Sequence, residues 1–85
     1  MEFVASTFIE DGTLELSLDG RLVLSNSGRI QVELERGFHE VSWIVKGKIG
    51  TSYTISVSSP SAAEFHLSKV ITENDFKTNL TTFKI

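Results

Sequence analysis

TLELSLDG, residues 13–20, is the stretch that decides the fold of this chain. Its leucines at positions 14, 16 and 18 alternate with Glu15 and Ser17, and a period of two is typical of a strand with one side in water. Asp19-Gly20 follows, and both residues tolerate the positive φ angles that a two-residue type I′ hairpin turn requires. The stretch therefore predicts a β-strand, a tight turn and an antiparallel neighbour.

The same alternation of apolar and polar residues recurs along the rest of the chain. Three segments are as regular as the first: Ile30–Glu35, Val41–Lys46 and Tyr53–Ser58. Less regular alternation predicts four more strands, at Glu2–Glu10, Arg21–Ser25, Glu64–Ile71 and Leu80–Ile85. A single open sheet would leave one apolar side in water, whereas two packed sheets bury both inner faces. The sequence predicts one all-β domain over residues 1–85, a two-sheet antiparallel β-sandwich of immunoglobulin-like architecture, with a small β-barrel as the alternative.

The remaining turn residues predict how the strands are connected. Asp11-Gly12 has the same composition as the first turn and predicts a second tight hairpin. Residues 47–50 (GKIG) suit a hairpin loop of four or five residues. Pro60 cannot donate to a β-ladder, so we expect a strand end or a crossover between sheets there. Residues 72–78 form a second polar break, in which we expect Phe76 to pin the loop to the body of the domain.

Length, charge and cysteine content argue against several classes of function. A chain of 85 residues builds one modest core, and catalytic clefts form more easily between domains or subunits. The formal net charge of -3 offers no positive surface for a phosphate backbone, so we expect no nucleic-acid partner. The absence of cysteine removes disulfides, thiolate metal sites and thiol nucleophiles together.

Hydropathy and the first residues of the sequence bear on the cellular compartment. No stretch approaches the roughly 20 apolar residues that a membrane-spanning helix needs. The first residues, MEFVA, lack the basic region and apolar run of a secretory signal, so we expect no signal peptide in this sequence. A location outside the cytoplasm or at the cell surface is favoured by the family resemblance described below.

The aromatic residues are the first candidates for ligand contact. Trp43 shares a face with Val41 and Val45, and Tyr53 begins the next strand, so we expect both rings in the core with their polar tips at its rim. The alternative is a surface on which Phe38, Trp43 and Tyr53 stack against a glycan. Phe8, Phe38 and Phe76 fall near turns or off the apolar face, and we expect them to plug the ends of the sandwich or to offer a ligand platform.

Titratable residues provide no convincing catalytic or metal-binding set. His66 lies on the outward face of its predicted strand with Glu64 and Ser68, an arrangement found on any solvated strand. Glu33 and Glu35 share a face, but neighbours on one strand do not flank a scissile bond from opposite sides. We therefore expect no catalytic residues, no metal and no cofactor.

His39-Glu40 is the other pair that could suggest proton transfer. It follows Gly37, and we interpret it as the start of the strand that continues through Val41. The second histidine, His66, has no ligand spacing to His39, so the two do not predict a metal site.

Two stretches, LSLDGR (residues 16–21) and VELERGFHEVSW (residues 32–43), carry a family resemblance. They resemble the hairpin module of PEGA-type domains, in which a strand ends in Asp-Gly-Lys/Arg and is followed by an apolar strand, Gly-x-His and another strand. The resemblance covers about a third of the chain; Ser25–Gly28 stands where a Thr-Pro turn is expected. It implies a small β-module of bacterial envelope or surface proteins, with a role in packing or adhesion rather than catalysis.

These observations predict a non-enzymatic structural or protein-interaction module. Its partner would be another protein that pairs with an exposed sheet edge, and self-association is the simplest version. The alternative is a carbohydrate-binding module that uses loop aromatics. A hydrolase using His66 or the Glu33/Glu35 pair is the least favoured hypothesis.

Overall fold

Eight β-strands account for most of this computed structural model, which describes residues 1–72 and 77–85. The strands are β1 (Glu2–Ile9), β2 (Thr13–Leu18), β3 (Arg21–Ser25), β4 (Gly28–Glu33), β5 (Phe38–Lys46), β6 (Ser52–Ser59), β7 (Phe65–Val70) and β8 (Lys77–Lys84). A short 3-10 turn, Ser61–Ala63, joins β6 to β7. No helix within the described ranges has the length and apolar character needed to cross a bilayer. Phe76, expected to pin a loop, lies outside the described residues.

The strands form two four-stranded antiparallel sheets. The first sheet has the order β4-β1-β6-β7 and the second has the order β3-β2-β5-β8. The predicted β-sandwich is confirmed, and the sheets do not close into the alternative barrel. The strand order departs from that of an immunoglobulin domain, in which the first two strands are neighbours in one sheet. Here β1 and β2 belong to different sheets.

The core lies between the two sheets and is filled by every second side chain. Leu14, Leu16 and Leu18 of the deciding stretch are all buried, as the alternation predicts. Trp43 and Tyr53 are also buried, with 8% and 5% of their surfaces exposed, so their placement in the core is confirmed. Tyr53 lies in β6 of the first sheet, however, and not on a strand beside Trp43.

The Asp19-Gly20 hairpin between β2 and β3 is confirmed. Both residues have positive φ, 52° for Asp19 and 79° for Gly20, as the type I′ turn requires. β2 and β3 pair antiparallel immediately before and after the turn, where Leu18 faces Arg21.

The hairpins predicted at Asp11-Gly12 and at residues 47–50 are wrong, because both segments cross from one sheet to the other. The two crossings pass backbone against backbone. A Cβ on Gly12 would overlap the carbonyl oxygen of Lys46, and a Cβ on Gly47 would lie 2.8 Å from the carbonyl oxygen of Asp11. Glycine is therefore needed here for close approach of two chain segments, not for a two-residue turn.

The other predicted boundaries agree to within a few residues. β6 ends at Ser59, so Pro60 marks a strand end, and β7 returns in the same sheet instead of crossing. β4 spans Gly28–Glu33, two residues earlier than predicted, and β8 begins at Lys77, three residues earlier than predicted.

One side of the sandwich is closed by the turn between β3 and β4. Asn26 adopts φ 59°, and its side-chain oxygen accepts a hydrogen bond from the Leu14 N–H at 3.1 Å. The Thr7 hydroxyl donates to the Asn26 carbonyl at 2.8 Å, and the Ser27 hydroxyl accepts from the Ile9 N–H at 3.1 Å. Because these bonds reach both sheets, they hold the β3/β4 side together. The opposite side, between β7 and β8, is where the candidate site lies.

Candidate functional site

β8 is an edge strand, and its pairing with β5 fixes which of its backbone groups face outward. Gly37 and Ile85 exchange two hydrogen bonds, at 2.9 and 3.0 Å, and the register from Phe38–Lys84 onward is unbroken. Bonded and non-bonded pairs alternate in an antiparallel ladder. The outward N–H and C=O groups of β8 therefore belong to Thr78, Leu80, Thr82 and Lys84. We call these groups the β8 edge.

The β8 edge is long and uncharged at its centre. β8 has eight residues. The six that lie between Lys77 and Lys84, TNLTTF at 78–83, carry no charge. Natural sheets usually protect an edge with charge, a bulge or short length, because unpaired backbone groups accept foreign strands. Among the described residues, the side-chain protection on β8 is one hydrogen bond, in which the Asn79 side-chain oxygen accepts from the Leu80 N–H at 2.8 Å, and the Ser61–Ala63 turn lies beside the strand.

The other three edges are better protected. β3 has only five residues, and its pairing with β2 is interrupted by a register shift. Next to β4, Met1 and Leu34 exchange hydrogen bonds, so the outward backbone groups of β4 are those of Arg29, Gln31 and Glu33. Two of these three residues are charged, and charge protects an edge. Glu33 also holds the N-terminal amine at 2.8 Å. β7 has six residues and carries the exposed Lys69. Length and an uncharged centre thus single out β8.

A groove with both apolar and polar lining residues runs beside the β8 edge, where the two sheets separate. It consists of two adjoining cavities of about 310 and 330 Å³ that share Trp43 as a lining residue. Half-buried Phe65 and Leu67 line it from β7, and the ring of Phe65 lies 5.4 Å from that of Trp43. Asn79 lines both cavities from β8. We call this feature the lateral groove.

The structure separates the three residues predicted as possible ligand contacts. Trp43 and Tyr53 both line the inner wall of the lateral groove. Phe38 lies apart, on the outer face of the second sheet, with 78% of its surface exposed. The Lys84 ammonium lies 5.3 Å from the centre of the Phe38 ring, close enough for a cation–π contact.

The expectation that Phe8 and Phe38 plug the ends of the sandwich is wrong. Both rings point away from the core, and Phe8 is 52% exposed on the outer face of the first sheet. In the described part of the chain these are the exposed aromatic rings, and they lie on opposite sides of the molecule. A stacking platform for a sugar needs adjacent exposed rings, and Phe8 and Phe38 do not lie beside each other.

The polar residues weighed for catalysis are not brought together. His66 points outward from β7 opposite Ser56, and Glu64 precedes the strand. Glu33 ends β4, whereas Glu35 lies beyond it in the connection to β5. Residues 1–72 and 77–85 contain no group of three His, Asp or Glu side chains that could hold a metal ion.

Sequence reasoning missed a hydrogen-bonded pair between Asp19 and His39. The Asp19 carboxylate lies 2.7 Å from His39 Nδ1 and also accepts from the Glu40 N–H at 2.8 Å. His39 Nε2 lies 2.7 Å from the Glu35 carbonyl oxygen, so both ring nitrogens face acceptors. The hydrogen bond to Asp19 raises the pKa of His39, and the same bond lowers the pKa of Asp19. The pair joins the β2–β3 hairpin to the start of β5.

No family model, curated protein or solved structure matches this chain. The resemblance to PEGA-type domains therefore stays a prediction. Its two quoted stretches contain Asp19 and His39, which are hydrogen-bonded partners in this fold. In this chain the Asp-Gly and Gly-x-His elements thus have a physical connection that the sequence alone did not show.

Proposed function

We propose that this protein is a non-enzymatic interaction module that binds an extended protein segment as an additional strand on the β8 edge. The observation that carries the proposal is an eight-residue edge strand with an uncharged centre beside a groove that Trp43, Phe65 and Leu67 line. In strand addition, main-chain hydrogen bonds supply affinity, and pockets for alternate side chains supply specificity. Resemblance to PEGA-type domains supports a structural or adhesive role at a bacterial cell surface.

The lateral groove would select the partner. Side chains of an added strand alternate between the outer face of the second sheet and its inner face. Inward side chains would meet Trp43, Phe65 and Leu67, which favour apolar residues. Outward side chains would lie beside Leu80, which is 55% exposed. An extended segment whose inward side chains are apolar or uncharged therefore fits both the edge and the groove.

The side chain of Asn79 suits such an edge. In the unbound protein its oxygen bonds the Leu80 N–H. A partner carbonyl would replace that bond with another of the same kind, so binding would not bury an unpaired donor.

A peptide selection with two matched proline variants tests the proposal. Thr82→Pro removes an outward N–H from the β8 edge, and Gln31→Pro removes one from the β4 edge; proline is tolerated where the N–H faces away from the sheet. Random nonapeptides are selected on the wild-type protein and then measured against both variants. We expect affinity at least about tenfold weaker for Thr82→Pro and unchanged for Gln31→Pro. Failure to select any peptide on a protein that sediments as a monomer, or equal binding to both variants, would refute strand addition at β8.

A further inference from the structure

We infer that the strand added to β8 is β8 of a second copy of this chain, paired antiparallel with the two Thr81 residues facing each other. The inference rests on the proposed function, because it names the partner of the same edge. It follows from the spacing of the outward backbone groups, from the charges near the edge and from the groove beside it.

The spacing of the outward groups selects one register. A two-fold axis pairs residues whose numbers have a constant sum. When the axis passes between the two Thr81 residues, Thr78 pairs with Lys84 of the second copy and Leu80 pairs with Thr82. All four outward residues of each copy then take part, and the pairs exchange about eight hydrogen bonds. A two-fold axis between the two Leu80 residues, or between the two Thr82 residues, would leave one outward residue of each copy without a partner in the other β8.

Charge is compatible with this register. Lys84 faces Thr78 and the backbone position of Lys77 faces Ile85, so no lysine is directly opposite another; like charges opposite each other would destabilise the pairing. The two-fold axis also makes the β7 strands of the two copies run in opposite directions. Glu64 precedes one end of β7 and Lys69 lies near the other, so each Glu64 comes to the same end as Lys69 of the second copy.

The lateral groove gives the pairing an apolar component. Joining two β8 edges creates one continuous eight-stranded sheet from the two second sheets, and both first sheets then lie on the same side. The two lateral grooves face each other across the axis. Phe65 and Leu67, half-buried in one copy, would lose contact with water, which favours association.

A cysteine scan tests the register. The chain has no cysteine, so each variant carries a single thiol. Residues at a non-hydrogen-bonded pair have Cα atoms about 4.5 Å apart, which is within the range of a disulfide. Thr81→Cys should therefore form a covalent dimer under mild oxidation. Thr82→Cys is the matched control, since its copies are displaced by about 7 Å along the strand and should not cross-link. Equal cross-linking of the two variants would overturn the register.

Sedimentation of the cysteine-free protein tests the partner. We expect a monomer–dimer equilibrium in the wild type and in Gln31→Pro, with association at least about tenfold weaker in Thr82→Pro. Thr82→Lys serves as a second variant with an unaltered backbone, and Trp43 fluorescence verifies folding. A wild type that is monomeric at every concentration yet binds selected peptides at β8 would overturn the second copy and leave the proposed function standing. A dimer whose association is unchanged in both Thr82 variants would also overturn this inference. Selected peptides that bind Thr82→Pro and Gln31→Pro equally would instead refute the proposed function.

Discussion

His39 shows how one side chain links two connections of the fold. Its ring is held between the Asp19 carboxylate and the Glu35 carbonyl oxygen, and it stacks at 5.5 Å on Phe83 of β8. With acceptors at both nitrogens, only the doubly protonated imidazolium can donate two hydrogen bonds. The raised pKa of His39 follows mainly from the bond to Asp19.

This arrangement predicts a pH-dependent stability. The contribution of His39 should be complete below the unfolded-state pKa of about 6.5 and should be lost as the pH rises through its raised folded-state pKa. The contribution of Asp19 has the opposite sign: it is present above about pH 4 and lost as the pH falls through its lowered pKa. Because Asp19 is 46% exposed, water screens the pair, and we expect no more than about 1 kcal/mol.

Urea unfolding of the wild type and of Asp19→Asn checks this prediction. Asparagine keeps the left-handed turn conformation and an acceptor for the Glu40 N–H, but it removes the charge. The difference in unfolding free energy between the two proteins should be largest at about pH 5–6 and should decrease toward about pH 8.5. A difference that is constant over this range would contradict the assignment.

At the scale of elements, one Asp-Gly connection could be predicted from the sequence and the other could not. Asp19-Gly20 was predicted correctly because the turn conformation is a local property of two residues. Asp11-Gly12 has the same composition, yet it crosses between sheets beside Gly47. A glycine needed for a positive φ and a glycine needed for close approach look alike in a sequence. The difference depends on a contact between segments some 35 residues apart, which local patterns do not contain.

Two alanine substitutions distinguish these roles. At Gly20, φ is 79° and no atom lies within 4 Å of an added Cβ, so alanine should cost only the backbone strain of about 1–2 kcal/mol. At Gly12 the Cβ would also overlap the Lys46 carbonyl, and we expect a loss of about 3 kcal/mol or more. Urea unfolding monitored by Trp43 fluorescence measures both values. Similar losses at the two positions would show that the crossing connections are not closely packed.

For the whole molecule, alternation was sufficient to predict two layers. The leucines of β2 face the core because a period of two places them on one side of the strand, and burial of both inner faces requires a second sheet. The order of strands within the sheets could not be predicted, because the pattern is the same for every pairing partner. The β8 edge was missed for this reason: whether Leu80 lies at an edge or in the middle of a sheet depends on strand order alone.

Two leucines in the second sheet test the two-layer packing. Leu16 is fully buried in β2, and Leu22 is 51% exposed on the neighbouring β3. Leu16→Ala should reduce the free energy of unfolding by about 3–5 kcal/mol, because it removes core volume and leaves a cavity. Leu22→Ala should change it by no more than about 0.5 kcal/mol. Chemical denaturation compares the pair, and equal effects would refute the inward assignment of the β2 leucines.

The short connection between β4 and β5 has a further consequence for the two chain termini. Leu34 bonds Met1, Gly37 bonds Ile85, and both termini line the same cavity. A short peptide could therefore join the first residue to the last without disturbing any strand. Circular permutants of this chain, opened at a surface turn, should keep the same sandwich, since neighbouring termini are what such rearrangements require.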